Sequence, residues 1–181
     1  GVLLRSASLA ASTKFAAADT VIGQAAFNTS GAGGSRNVLS GLKSPNGISV
    51  SSSGTLYITD QFSRVLVFPS PATGAAAANM FGNDSSSTPT ANSLNNPTGV
   101  VAAGAAVYVA DATNNRVLAF GSAQSSGASG VIGQSSFTEN KVNKGAGDAS
   151  GNSFHTPSDL AAATQELYVA DTGNNRVLVF T

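Results

Sequence analysis

One pattern of apolar and polar residues occurs three times along the chain. An apolar run that ends in Asp is followed by a short polar turn and then by an apolar run that begins with Arg. The three copies occupy residues 56–68, 107–120 and 167–180. Side chains alternate between the faces of a strand, so Leu66 and Phe68 share one face while Val65 and Val67 share the other. Because both faces are apolar, both need to be covered. The pattern predicts β-hairpins packed between neighbouring sheets.

Two further strands are predicted beside each hairpin. Strand a precedes it and begins at a proline, a residue that suits the first position of a strand because it has no backbone donor. The hairpin supplies strands b and c, and strand d follows. The a strands begin near Pro45, Pro97 and Pro157, and the d strands are Val21–Gln24, Met80–Asn83 and Val131–Gln134. A repeated unit of four short antiparallel strands is the blade of a β-propeller. The sequence thus predicts an all-β fold with three blades in residues 21–181.

The Asp and Arg of each hairpin face one another across the b–c turn. The predicted pairs are Asp60 with Arg64, Asp111 with Arg116 and Asp171 with Arg176. An exposed cross-strand ion pair contributes roughly 0.2–1 kcal/mol to stability. We interpret these charges as structural pairs that fix the hairpin, rather than as groups that bind a ligand.

The hairpin and the proline before it resemble the NHL repeat. That family has Pro-x-Gly and an apolar residue, followed by Leu-Tyr-Val-Ala-Asp-x-x-Asn-Asn-Arg-Val. Residues 97–117 match this motif well, and residues 157–177 match it except that Asp159 replaces the glycine. Residues 45–65 match less well because their turn is one residue shorter. The Val-Ile-Gly-Gln segments are usual in bacterial members. The resemblance implies a β-propeller, typically of six blades.

Three blades are too few to close a propeller, which needs roughly four to eight. The chain has a d strand at Val21–Gln24 before its first blade, and its last blade ends with strand c at Val177–Phe180. Residues 1–20 are interpreted as the remnant of a preceding blade. The sequence therefore predicts half of a six-bladed ring. Either a second copy in a homodimer or the missing half of a longer propeller would complete it.

The antiparallel strand order places the b–c turns and the long d–a loops on one face. These loops span about residues 28–42, 84–93 and 135–156 and are rich in Gly, Ser, Asn and Thr. Long loops on a rigid scaffold commonly carry binding residues. The predicted binding residues are Gln61, Phe62, Asn114, Asn115, His155, Asn174 and Asn175.

Composition limits the partners and the chemistry. Nine basic and nine acidic residues give no net charge, and charged residues make up 10% of the chain. Roughly 25% is usual, so neither nucleic acid nor an anionic membrane is an expected partner. The chain has no cysteine, and His155 is its only histidine, so we predict no metal site, no cofactor and no catalytic residue. The polar, weakly charged composition favours an extracellular or cell-surface protein.

These observations favour a non-catalytic binding or scaffold module that holds a protein, peptide or glycan on its loop face. Two alternatives remain open at this point. A structural subunit of a surface assembly would use the spare N-terminal strand to pair with a neighbour. An enzyme of the propeller lyase or lactonase type would need several carboxylates or histidines facing the channel.

Overall fold

A computed structural model describes residues 17–82, 88–121 and 127–181, which form three antiparallel β-sheets. Sheet 1 contains β1 (Ile48–Val50), β2 (Leu56–Asp60), β3 (Arg64–Phe68) and β4 (Asn79–Phe81). Sheet 2 contains β5 (Pro97–Ala103), β6 (Ala106–Asp111), β7 (Arg116–Gly121) and β8 (Gly130–Ile132). Sheet 3 contains β9 (Pro157–Ala163), β10 (Glu166–Asp171) and β11 (Arg176–Phe180). The prediction of an all-β fold with antiparallel sheets is confirmed.

Within each sheet the strands follow one another in chain order, with β10 between β9 and β11 in sheet 3. The hairpins are in register up to the turn, where Asp111 lies opposite Arg116 and Asp171 opposite Arg176. Short 3₁₀ turns at Ala112–Asn114 and Thr172–Asn174 connect these strands, and a third covers Val142–Gly145. The residue before each arginine has a left-handed backbone, which asparagine adopts more readily than most residues. Those residues are Ser63, Asn115 and Asn175.

The core lies between the sheets. Val65 and Val67 of sheet 1 and Phe120 of sheet 2 belong to one buried cluster, in which Phe120 stacks on Phe81 with ring centroids 4.8 Å apart. Val117 on the other face of sheet 2 packs with residues of sheet 3. Sheet 2 is therefore covered on both faces, which accounts for its two-sided apolar pattern.

A third cluster covers the face of sheet 1 that points away from sheet 2. Leu66 and Phe68 pack there against Leu42, with Ile22 and Leu39 at its margin. The segment before β1 thus shelters Leu66 and Phe68 from water without forming a sheet of its own. The β1 side of the same face stays open, since Ile48 is exposed.

The strand predicted at Val21–Gln24 does not form, because these residues have an irregular backbone. A strand needs a neighbour to satisfy its backbone donors and acceptors. In the repeat, strand d pairs with strand c, as β8 pairs with β7. Among the described strands, the strand c without such a neighbour is β11, whereas residues 21–24 lie against sheet 1, two sheets away. The prediction for the N-terminal segment otherwise concerns residues 1–16, which lie outside the described residues.

Neighbouring sheets approach most closely at the start of their first strands. A Cβ atom added to Gly99 of β5 would lie 2.7 Å from the Cα atom of Asp159, and one added to Gly47 would lie 2.3 Å from the carbonyl oxygen of Thr98. Real Cβ atoms do not come this near to backbone. The glycine of the Pro-x-Gly motif is thus required by the backbone of the following sheet.

We expect Gly99→Ala to destabilise the protein by about 1–3 kcal/mol, because a packed core accommodates an added methyl group only by shifting backbone. Gly147→Ala is the matched control, since a Cβ atom there meets nothing within 4 Å. Urea unfolding followed by circular dichroism gives both values. Equal stability of the two variants would show that the sheets are not held at this spacing.

Candidate binding face

An ion pair occupies the end of each b–c hairpin. The Asp60 Oδ2 to Arg64 Nη2 distance is 2.9 Å, and the carboxylate to Nε distances are 2.7 Å for Asp111–Arg116 and 2.8 Å for Asp171–Arg176. The first two pairs are fully buried, whereas Arg176 is partly exposed. The sequence predicts an exposed cross-strand ion pair, and for the first two repeats this prediction is wrong, because both side chains are buried. A buried pair is stable only when hydrogen bonds satisfy the remaining groups.

Backbone carbonyls of the long loops provide those hydrogen bonds to each guanidinium. Arg116 donates from Nη2 to the carbonyl oxygens of Thr90 at 3.0 Å and Ser93 at 2.9 Å, and from Nη1 to that of Phe137. Arg176 donates to the carbonyls of Ser150 and Ser153 at 2.7 and 2.8 Å. Both arginines therefore tie a hairpin to the loop before it, and Arg116 also binds the loop that follows, at Phe137.

The first repeat uses the same arrangement with a different loop. Arg64 donates to the carbonyl oxygens of Arg36 at 2.9 Å, Val38 at 2.5 Å and Gly41 at 3.1 Å. The shorter b–c turn of this repeat therefore preserves the role of its arginine. All three repeats hold a long loop by the same chemistry, although the loops differ in sequence.

The carboxylates hold the loops as well. Asp111 Oδ1 accepts from the backbone N–H of Asn95 at 2.7 Å, and Asp171 Oδ1 accepts from that of His155 at 2.7 Å. Burial raises the pKa of the Asp111 carboxyl above its ordinary value, and the nearby Arg116 charge and the hydrogen bonds from its neighbours offset part of this rise. With their oxygens engaged inside the chain, these aspartates serve structure rather than ligand binding.

Two of the predicted binding residues, Asn114 and Asn115, are buried. Asn114 donates to Asp111 Oδ2 at 2.8 Å. Asn115 donates to the carbonyl of Asn140 at 2.9 Å, and its side-chain oxygen accepts from the N–H of Thr156 at 2.8 Å. Their amides link parts of the chain and are not displayed to solvent, because the turn folds back onto the adjoining loops.

The corresponding pair in the third repeat is less enclosed. Asn174 is half-buried and donates to Asp171 Oδ2 at 2.7 Å. It also exchanges hydrogen bonds with Asn143 of the preceding loop, at 2.8 and 3.2 Å. Asn175 is exposed. Of these two residues, only Asn175 keeps its side chain on the surface.

The other predicted residues lie at the same edge of the sheets but in different repeats. Gln61 is exposed at the tip of the first turn, and the Phe62 ring lies 5.1 Å from Lys43 Nζ and 5.0 Å from the guanidinium carbon of Arg64. His155 is half-buried, and its carbonyl accepts from the N–H of Gly173 at 2.8 Å. No hydrogen bond or ion pair between described residues links the Phe62 tip to His155. The structure therefore places these residues along one face without gathering them into a single cluster.

Sequence reasoning missed the residues that form the receiving side of this network. Gln134 is buried and its amide donates to the carbonyl oxygens of Asn115 and Lys141, both at 2.8 Å. Ser93 and Ser153 are also buried, and each offers its carbonyl to an arginine. One sequence feature could have indicated these two serines. In two repeats, a serine directly precedes the apolar residue Leu94 or Phe154.

A separate cleft of about 580 Å³ lies between sheets 2 and 3, near the a–b turns and away from the loop face. Its lining includes Tyr108, Ile132, Leu167 and Phe180. In the described part of the chain, no three His, Asp or Glu side chains gather as a metal site would require. The same residues include no helix with the length and apolarity of a membrane span.

Comparisons with known proteins find one family and a distant structural similarity. The model of the NHL repeat matches residues 154–180. A crystal structure of selenomethionine-substituted virginiamycin B lyase from Staphylococcus aureus is similar at 18% identity and a TM-score of 0.41. That similarity covers 75% of this chain, which spans 40% of the length of the lyase chain. No curated protein matches the chain.

We expect Arg116→Met to destabilise the protein by about 3–5 kcal/mol, because it leaves the buried Asp111 carboxylate without its partner. Arg176→Met is the matched comparison, and it should cost less because Arg176 is partly exposed and its pair is better solvated. Urea unfolding of both variants measures the difference. A loss of less than about 1 kcal/mol in Arg116→Met would show that the buried pair does not hold the loop.

Proposed function

We propose that this chain is a three-blade segment of a β-propeller that works as a non-catalytic binding scaffold. The observation that carries the proposal is the repeated tether between each long loop and its hairpin. One frame of Asp, Arg and backbone carbonyls holds three loops of different sequence at the same edge of the sheets. A constant frame with variable loops is the arrangement that binding folds use.

The propeller interpretation rests on the sheets and on the family match. Sheets 1 and 2 have four antiparallel strands in chain order, and successive sheets pack face to face through apolar clusters. The NHL-repeat match covers the third repeat from Phe154 to Phe180. We assign the same repeat to sheets 1 and 2 because their Asp–Arg pairs and loop tethers are equivalent. Three such blades amount to half of a six-bladed ring.

Binding is favoured over catalysis by how the reactive groups are used. The hairpin carboxylates and guanidiniums are engaged with one another and with backbone. What the face offers to a partner is the exposed amides of Gln61 and Asn175, with the half-buried Phe62 ring and His155 along the same edge. Neutral hydrogen-bonding groups beside an aromatic ring suit a peptide or glycan, since the ring buries apolar surface and the amides fix orientation. We place this activity outside the cell, in keeping with the weakly charged composition.

We expect Phe62→Ala and His155→Ala each to weaken binding by about tenfold, or ~1.4 kcal/mol, for ligands held on this face. The probes are a random-peptide phage library and a glycan array, screened against the immobilised protein. Ser52→Asp is the matched control, because Ser52 is exposed at the a–b turn, at the opposite end of β2.

Two results would contradict the proposal. One is that neither library yields a ligand. The other is that the selected ligands bind the Phe62→Ala and His155→Ala variants as tightly as the Ser52→Asp variant.

A further inference from the structure

The two ends of the stack of sheets expose the residues that its interior buries. On the outer face of sheet 3, Val177 is 62% exposed, whereas the equivalent Val65 and Val117 are both 0% exposed. On sheet 1 at the other end, Ile48 is 70% exposed, whereas its equivalent in sheet 2, Val100, is 4% exposed. Inside the stack, Val65 and Val100 belong to the same cluster. The exposed faces of sheets 3 and 1 therefore carry the residues equivalent to the two sides of the interface between sheets 1 and 2.

In the part of the chain that the structure describes, sheet 3 has no counterpart of the outer strand that sheets 1 and 2 have. In sheet 2, β8 pairs with β7, with Ile132 opposite Val117 and Val131 opposite Leu118. Among the described residues, β11 pairs with β10 and no strand lies along its outer edge. That edge runs beside an exposed apolar face, an arrangement that accepts an added strand.

Residues 21–24 have the tertiary contacts of that outer strand. Gly23 has a φ of +84°, and a Cβ atom added to it would lie 2.7 Å from Leu42. The d-strand glycines Gly82 and Gly133 have φ values of +77° and +92°, and a Cβ atom on either would lie 2.1 Å from Leu94 or Phe154. The segment thus packs against sheet 1 as β4 packs against sheet 2. Residues 21–24 therefore have the glycine conformation and the apolar contact of a strand d, but no strand c pairs with them.

The glutamine of this segment makes one of the two hydrogen bonds that its equivalent in sheet 2 makes. Gln134 donates from its amide to the loop carbonyl of Lys141 and to the turn carbonyl of Asn115, both at 2.8 Å. Gln24, its equivalent, donates to the loop carbonyl of Gly31 at 2.7 Å. The turn carbonyl that corresponds to Asn115 is that of Asn175, at the start of β11. The chain cannot bring the two together by itself, because the clusters place them at opposite ends of three sheets.

We propose that a second copy of this chain supplies the missing strand. Residues 20–22 of one copy pair antiparallel with residues 177–179 of the other, in the register of β8 on β7. That register sets Ile22 opposite Val177 and Thr20 opposite Val179. The exposed ends of sheets 1 and 3 then pack as sheets 1 and 2 do. Two such junctions related by a two-fold axis close a ring of six sheets, and this inference rests on the proposed three-blade interpretation.

Asp159 makes this junction looser than those inside the chain. It stands where sheets 1 and 2 have Gly47 and Gly99, the residues whose lack of a Cβ atom lets the following sheet approach. At the junction its side chain meets sheet 1 of the second copy, so that sheet has to stand further away. The dimer is therefore expected to dissociate on dilution. Asp159→Gly should tighten it by about tenfold or more in Kd.

The first experiment is sedimentation equilibrium of the 181-residue protein from 1 to 100 µM. We expect the mass to approach twice 17.8 kDa at the upper end. Val177→Asp and Ile48→Asp should each give a folded monomer, because both side chains lie in water in the single chain. Ser52→Asp is the control and should remain dimeric. An equimolar mixture of the Val177→Asp and Ile48→Asp variants should recover dimers, since one of the two junctions is then intact.

The second experiment fixes the register. The chain has no cysteine, and paired antiparallel residues have Cα atoms about 4.5–5.5 Å apart, within the range of a disulfide. The double variant Thr20→Cys with Val179→Cys should form a covalent dimer on oxidation. Thr20→Cys with Val177→Cys is the control and should not, because diagonal neighbours are about 7–8 Å apart.

Four results would overturn the proposal. They are a monomer at 100 µM, an open series of oligomers larger than the dimer, a dimer that survives Val177→Asp, and equal cross-linking of the two cysteine pairs. Ligand binding at the loop face is measured separately on the same variants. A monomeric protein that binds peptides or glycans would refute self-association alone, whereas a dimer without ligands would refute the binding function alone.

Discussion

The pair of Asp and Arg at the end of each hairpin, fully buried in the first two repeats, is the interaction on which the arrangement depends. Bringing two charges out of water costs several kcal/mol per ion, and only good geometry with further hydrogen bonds offsets this. Here the carbonyl oxygens and N–H groups of the preceding loop supply those bonds, as at Ser93 and Asn95 for the pair of sheet 2. The cost of burying the charges is thus offset only if the loop is in place. The same groups that close a hairpin therefore order a loop of otherwise weak structure.

Packing between sheets adds the second constraint. Each sheet is apolar on both faces, so no sheet is stable alone, and each depends on its neighbours. Gly47 and Gly99 set the distance at which these faces meet. Where the series ends, valines and an isoleucine are left in water at Val177, Val179 and Ile48. In the dimer that we propose, self-association and the internal fold would use the same kind of interface.

Much of the fold could be predicted from the sequence, because local pattern determines it. Strands b and c, the Asp–Arg pairing across the turn and the proline before strand a all depend on residues close to one another in the chain. The burial of Asn114 and Asn115 could not be predicted, since turn asparagines are usually exposed. Asn115 is held by hydrogen bonds with residues 25 and 41 positions further along the chain. The irregular backbone of Val21–Gln24 could not be predicted either. Its residues favour a strand, but a strand forms only beside a partner, and sequence pattern does not show where the partner lies.

The Asp and Arg residues at the hairpin ends lock the long loops to the sheets. Native-state hydrogen exchange of the backbone N–H groups of Asn95 and His155 tests it most directly, because these groups donate to Asp111 and Asp171. We expect both N–H groups to exchange as slowly as core-strand amides such as that of Val109, since they open only when the sheets unfold. Exchange as fast as that of the exposed loop residue Gly147 would contradict it, because the loops would then move independently of the hairpins.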